Sequence, residues 1–168
     1  MAEKKNLLIY VVEDNQIYNH LVCENLKKRN YTNIRSFTSG RECVKAVSGG
    51  ESPDIIIQDY FLEEGNGVDV LKNVKKICKK TEFIFLTGNE NMEVAVATIK
   101  YGAYDYIIKD KLALDKVANK IEKINRLVEL KKGNEFIKRA MIVSVSILVL
   151  IVLFAILHFL FDAFGLKQ

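Results

Sequence analysis

Cysteine and histidine are scarce in this 168-residue chain, and neither is arranged for disulfide or metal chemistry. Cys23, Cys43 and Cys78 are odd in number, widely spaced and outside any CxxC arrangement. That excludes a disulfide framework and points to buried, reduced thiols in a reducing compartment. His20 and His158 lie far apart, with no Cys or His at ligand spacing, so a transition-metal site has no basis. The apolar run Leu7 to Val12, behind Met1-Ala2-Glu3-Lys4-Lys5, is too short for a signal peptide. Charge is missing altogether from Ala140 to Phe161, 22 residues in a row, whereas every earlier segment mixes charge with apolar side chains.

Hydrophobic residues make up 49% of the chain and charged ones 27%, a balance that fits a globular domain rather than a disordered one. The length leaves room for one domain with a core and an appendage. Positive charge is concentrated: Lys109 to Arg139 holds ten Lys or Arg against five Asp or Glu, while the whole chain carries only +4. A basic stretch beside an apolar segment points to an anionic membrane surface. No motif of a nucleic-acid-binding fold accompanies it, so nucleic acid is not expected as a partner.

Leu7 to Val12 is a continuous apolar run ending at Glu13-Asp14-Asn15, the pattern of a fully buried strand. Ile17, His20, Leu21, Cys23, Glu24 and Leu26 follow with mixed helical spacing. A second strand is expected at Ile34 to Phe37 and a short helix at Ser39 to Val47. The only proline, Pro53, precedes a third strand that ends in Asp59. Glu63 to Gly67 is expected as a loop, and Val68, Leu71, Val74 and Ile77 as a helical stripe. A fourth strand at Phe83 to Thr87, a fourth helix at Met92 to Ile99 and a fifth strand at Tyr104 to Ile108 complete the alternation. Leu114, Val117, Ile121, Ile124 and Val128 mark a long fifth helix; their 3-4-3-4 spacing suits a coiled-coil seam, but covering a sheet requires the same stripe, and the sheet is favoured. Alternating strands and helices with wholly apolar strands predict an α/β fold, a doubly wound five-stranded parallel sheet. Functional sites in such sheets lie beyond the carboxyl ends of the strands.

At those ends stand Glu13 and Asp14, Asp59, Thr87 and Lys109. Carboxylates gathered so closely repel one another unless a cation joins them, and oxygen-only ligands favour Mg²⁺. Lys109 and Thr87 suit phosphoryl oxygens, one by charge and one by hydrogen bond.

The pattern resembles the receiver domain of two-component response regulators, from about residue 5 to about residue 130. Glu13-Asp14 looks like the family's acidic metal-binding pair and Asp59 like its phospho-accepting aspartate. Gly67 sits where the family opens its third helix with glycine. Leu86-Thr87-Gly88 is similar to the switch hydroxyl and its small neighbour, and Gly102-Ala103-Tyr104-Asp105-Tyr106-Ile107-Ile108-Lys109 to the fifth-strand signature, with Tyr106 as switch aromatic. The resemblance implies a flavodoxin-like strand order, 2-1-3-4-5. It also implies phosphoryl transfer to Asp59 from a sensor histidine kinase, a phosphotransfer protein or a small acyl phosphate. Mg²⁺ would be held by Asp14, Asp59, the Phe61 backbone carbonyl and waters, one of them on Glu13. Thr87 and Lys109 would be drawn to the phosphoryl oxygens, and Tyr106 would turn inward. That shifts a surface made of the fourth helix, fifth strand and fifth helix, through which a homodimer is also conceivable. A chain of this kind catalyses at most its own phosphorylation and dephosphorylation. Two departures stand out. Asp110 follows Lys109 where the family usually has a proline, often in a cis bond, and Phe61 is bulky enough to restrict water near Asp59.

The uncharged segment spans roughly 33 Å as a helix at about 1.5 Å per residue, against about 30 Å for a bilayer's hydrocarbon core. Lys131, Lys132, Lys138 and Arg139 precede it and only Lys167 follows, which predicts a single-pass cell-membrane protein with its receiver in the cytoplasm. The expected organisation is a receiver at 1–132, a linker at 133–139 opened by a helix break at Gly133-Asn134, a transmembrane helix at 140–161 and a tail at 162–168. No DNA-binding or catalytic output domain is expected, so output falls to partner binding, or to a phosphate sink in a phosphorelay as the alternative. An aspartyl-phosphate hydrolase of another fold is disfavoured because no DxD motif follows the first strand.

Overall fold

A computed structural model describes residues 7–63, 65–88 and 91–163. The chain divides into two compact units, Met1–Asn125 and Arg126–Gln168. In the first, β1 (Ile9–Val12), α1 (Gln16–Lys28), β2 (Ile34–Phe37), α2 (Gly40–Ser48) and β3 (Ile55–Gln58) alternate as expected. A small antiparallel hairpin follows, β4 (Phe61–Leu62) and β5 (Gly65–Asn66), with Phe61 opposite Asn66; β5 falls inside the loop expected at Glu63 to Gly67. Then come α3 (Gly67–Ile77), β6 (Glu82–Thr87), α4 (Met92–Lys100), β7 (Asp105–Ile108) and α5 (Ala113–Ala163).

All pairings in the main sheet are parallel, in the order β2-β1-β3-β6-β7, which is 2-1-3-4-5 when the hairpin strands are not counted. The apolar runs of β1 and β3 are buried at every position because helices cover both faces. Tyr10, Val12, Ile56, Leu71, Val74, Phe83 and Phe85 form the core on one of these faces. Four of the five helices, α1 to α4, start at a polar cap. The side chains of Asn15, Ser39, Asn66 and Asn91 accept from the backbone N–H groups of Tyr18, Glu42, Asp69 and Glu93. Such a cap is worth about 1 kcal/mol. These caps stop the strands cleanly, so the residues between strand end and helix start are left at the sheet's carboxyl edge.

Helix α1 forms where its spacing predicts and buries one stripe. Asn19, Val22, Cys23 and Leu26 face inward, while Ile17 and Leu21 are exposed. Asn19 takes the inward place with its Nδ2 donating to the carbonyls of Glu13 and Phe37, each at 3.0 Å, bonds that an isoleucine could not make. On α5, Val117, Ile121 and Ile124 are buried, as the sheet-covering stripe requires.

The expected helix break at Gly133-Asn134 is absent: α5 is helical through all 51 residues. One glycine costs a helix about 1 kcal/mol, and Lys131, Lys132 and Glu135 beside it are good helix formers. Residues 133–139 are therefore helical rather than an irregular linker. Within α5, Phe136–Leu160 is long and apolar enough to cross a membrane. Residues 164–168 of the expected tail lie outside the described residues.

Candidate functional site

Register brings the strand-end residues together. Val12 pairs with Gln58 and Gln58 with Phe85, so Glu13 and Asp59 are the next residues out on neighbouring strands. The ladder continues one step beyond the strands: the Asp59 N–H donates to the Val12 carbonyl at 2.9 Å, and the Lys109 N–H to the Thr87 carbonyl at 2.8 Å. Glu13, Asp14, Asp59, Thr87 and Lys109 thus share one edge of the sheet.

Lys109 Nζ lies 2.6 Å from Asp59 Oδ2 and 2.7 Å from Glu13 Oε2, bridging the two acids. Its ammonium sits over the Tyr18 ring, 4.6 Å from the centroid. Asp59 Oδ1 accepts from the Phe61 N–H at 3.3 Å, and Asp14 Oδ2 accepts from the Glu63 N–H at 2.9 Å. The β4–β5 hairpin therefore closes over the two aspartates through its backbone. Glu13 and Asp59 are buried, and Asp14 is half-buried.

Electrostatics follow from this crowding. Burial pushes the Glu13 carboxyl up to about 7, with the Asp59 charge adding to the effect and Lys109 opposing it. Burial alone would lower the Lys109 ammonium, yet its contacts with Asp59 and Glu13 hold it above the ordinary lysine value. One ammonium faces three carboxylates whose ligand oxygens all lie within 4.8 Å of one another. The local surplus of negative charge and the oxygen-only donor set fit a hard divalent cation such as Mg²⁺.

Thr87 is fully buried at the end of β6, and the half-buried Tyr106 on β7 is hydrogen-bonded to it. Burial raises the Tyr106 phenol, and the Thr87 contact works against that rise. Phe61 is 59% exposed, its ring edge-on to Tyr60 at 4.9 Å. The Lys109–Asp110 bond is trans, because the described residues contain no cis peptide.

Three contributors escaped the sequence reading. Tyr18 and Asn19 lie on a helix whose apolar residues drew attention instead. Gln58 is buried in β3, where its Nε2 donates to the Asp59 carbonyl at 2.7 Å. A polar residue closing an otherwise apolar strand next to the acid was the available signal.

The sequence profile of the response regulator receiver domain matches residues 9–122, more than half of the chain. The transcriptional regulatory protein CitB of Klebsiella pneumoniae is 25% identical over 99 residues, covering 59% of this chain and 42% of CitB. The chemotaxis protein CheY of Thermotoga maritima is 28% identical over 101 residues, covering 60% of this chain and 83% of CheY. Among solved structures, the N-terminal domain of a three-domain response regulator/sensory box/GGDEF protein from Carboxydothermus hydrogenoformans superposes with a TM-score of 0.64. It is 29% identical and covers 73% of this chain and 97% of that domain. The chain thus spans less than half the length of CitB but most of CheY. With the parallel sheet in the order the family uses and the acids, hydroxyl and lysine on its carboxyl edge, this chain belongs to the response regulator receiver family.

Proposed function

We propose that Asp59 accepts a phosphoryl group from a sensor histidine kinase or a phosphotransfer protein, in a receiver held at the cytoplasmic face of the cell membrane. The observation that carries this reading is the bridge from Lys109 Nζ to Asp59 Oδ2 at 2.6 Å, beside the Glu13 and Asp14 carboxylates. In this reading Asp14, Asp59 and the Phe61 carbonyl would hold Mg²⁺, with Glu13 beside them. When bound, Mg²⁺ supplies positive charge that offsets the charge on the transferring group. Asp59 contributes the attacking carboxylate oxygen, and the donor's bond to phosphorus breaks as the new P–O bond forms. Lys109, already poised between Glu13 and Asp59, exchanges one carboxylate contact for a phosphoryl oxygen. Thr87 donates its hydroxyl to another, which ends its bond with Tyr106 and frees that ring to turn inward.

Output is partner binding through α4, β7 and α5, with a homodimer through the same elements as one form. Met92, Val96 and Ile99 of α4 are large apolar residues left exposed, which suits a face that acquires a partner. The apolar part of α5 supports the anchor: Phe136–Leu160 is exposed throughout, as a lipid-facing helix is and a core helix is not. We place the membrane span at 140–161, with the receiver at 1–132 and residues 133–139 as a helical connection.

Incubating the full chain, in detergent, with a small acyl phosphate and Mg²⁺ tests the site. One phosphate per chain is expected, lost on chelation and in Asp14→Ala. Equal labelling of wild type and Asp14→Ala would count against it. Carbonate extraction of membranes tests the anchor, which predicts that the chain stays in the pellet.

A further inference from the structure

Helix α5 carries a second apolar stripe beyond its buried one. Leu127, Leu130 and Ile137 are 49%, 71% and 57% exposed, although they precede the uncharged segment. With Asn134 between them and Met141 after them, they fall at alternating steps of three and four residues. The same register continues through Ser144, Leu148 and Ile151 to His158. This is the heptad spacing of a coiled-coil seam, offset from the buried Val117, Ile121 and Ile124 that cover the sheet.

Charge respects the seam. Arg126 to Arg139 contains seven charged residues, and none occupies one of its four seam positions, which are Leu127, Leu130, Asn134 and Ile137. Within the uncharged segment Ser144 and His158 lie on it, while Ser146 lies off it with its hydroxyl donating to the Ile142 carbonyl of its own helix. Polar groups inside a membrane belong on a helix's protein-facing side.

We propose that α5 pairs along this seam with α5 of a second copy of the same chain, parallel and in register. Two copies inserted in the same orientation meet as identical residues, so every seam residue must tolerate itself. Leu127, Leu130 and Ile137 do so as apolar pairs. Asn134 and Ser144 carry no charge to set against their twins. A lysine or an aspartate on the seam would repel its twin, and there is none from Leu127 to His158. A single asparagine within an apolar seam is also a device that selects register. A straight helix drifts about 20° per heptad from such a seam, so the pair winds left-handed.

The intramembrane half rests on the membrane reading above; the part from Leu127 to Ile137 does not. The test is a cysteine scan of residues 127–141 in the full-length chain carrying Cys78→Ser, oxidised in native membranes, with carbonate extraction of the same samples. Disulfide-linked species of twice the chain mass should peak several-fold at Leu127, Leu130, Ile137 and Met141 over Glu129, Lys132, Glu135 and Arg139. A phosphodonor should leave that pattern unchanged, which separates it from pairing through α4, β7 and α5. Membrane retention with a flat profile overturns the pairing and leaves the anchor standing. A periodic profile in carbonate-extractable protein supports the pairing and overturns the anchor. Peaks at masses other than twice the chain overturn the choice of a second copy.

Discussion

Gly67 closes directly on the backbone of Asp59. A β-carbon there would collide with the Asp59 carbonyl oxygen and stand 2.8 Å from both Gln58 Cγ and Phe85 Cε1. None of these is the free end of a flexible exposed chain: Gln58 and Phe85 are fully buried. The start of α3 is thereby held against the acidic edge, and the Gly67 N–H donates to the Tyr60 carbonyl at 2.8 Å.

Replacing Gly67 with alanine must therefore push α3 away from Asp59. Overpacking of this kind costs about 1–3 kcal/mol. Thermal unfolding should register the loss, and phosphorylation should slow as the β4–β5 hairpin shifts. A variant with unchanged stability would show that the gap opens freely.

Thr87 and Tyr106 form a hydrogen bond between a buried hydroxyl and a half-buried phenol. Thr87→Val keeps the shape and removes the bond, at a cost of about 0.5–1.5 kcal/mol. Fluorine NMR of fluorotyrosine at position 106 should respond to phosphorylation in the wild type and stay silent in the variant. A normal response in Thr87→Val would separate Tyr106 from the switch.

Glu13 makes Mg²⁺ binding sensitive to pH. Burial, aided by Asp59, lifts its carboxyl to about 7, so near neutrality it is partly protonated. A proton on Glu13 competes with the cation, and the sign follows: affinity is greatest above pH 7 and falls as pH drops through it. Calorimetry in buffers of different ionisation enthalpy should detect proton release on binding. Glu13→Gln should flatten the pH dependence while weakening affinity less than Asp14→Ala does. Equal slopes in wild type and Glu13→Gln would place the titrating group elsewhere.

The sheet was legible because its central strands β1, β3 and β6 are largely apolar runs stopped by polar residues, and Glu13, Asp14, Asp59 and Thr87 are those stops or their neighbours, with Lys109 next after β7. The β4–β5 hairpin was not, since strands of two residues carry no periodicity and Gly65 reads as a loop. Asn19 was missed because its inward place depends on two carbonyls, of Glu13 and Phe37, supplied by different strands. Gly133-Asn134 misled for the opposite reason. A local breaker of about 1 kcal/mol is outweighed in a helix with many good formers on either side.

The most direct test of the central claim is to locate the phosphate on the full-length chain after incubation with phosphodonor and Mg²⁺. Intact-mass and peptide analysis should find one phosphate on Asp59, removed by hydroxylamine as an acyl phosphate must be, and no label in Asp59→Asn. Phosphate that resists hydroxylamine, or labelling undiminished in Asp59→Asn, would contradict the account.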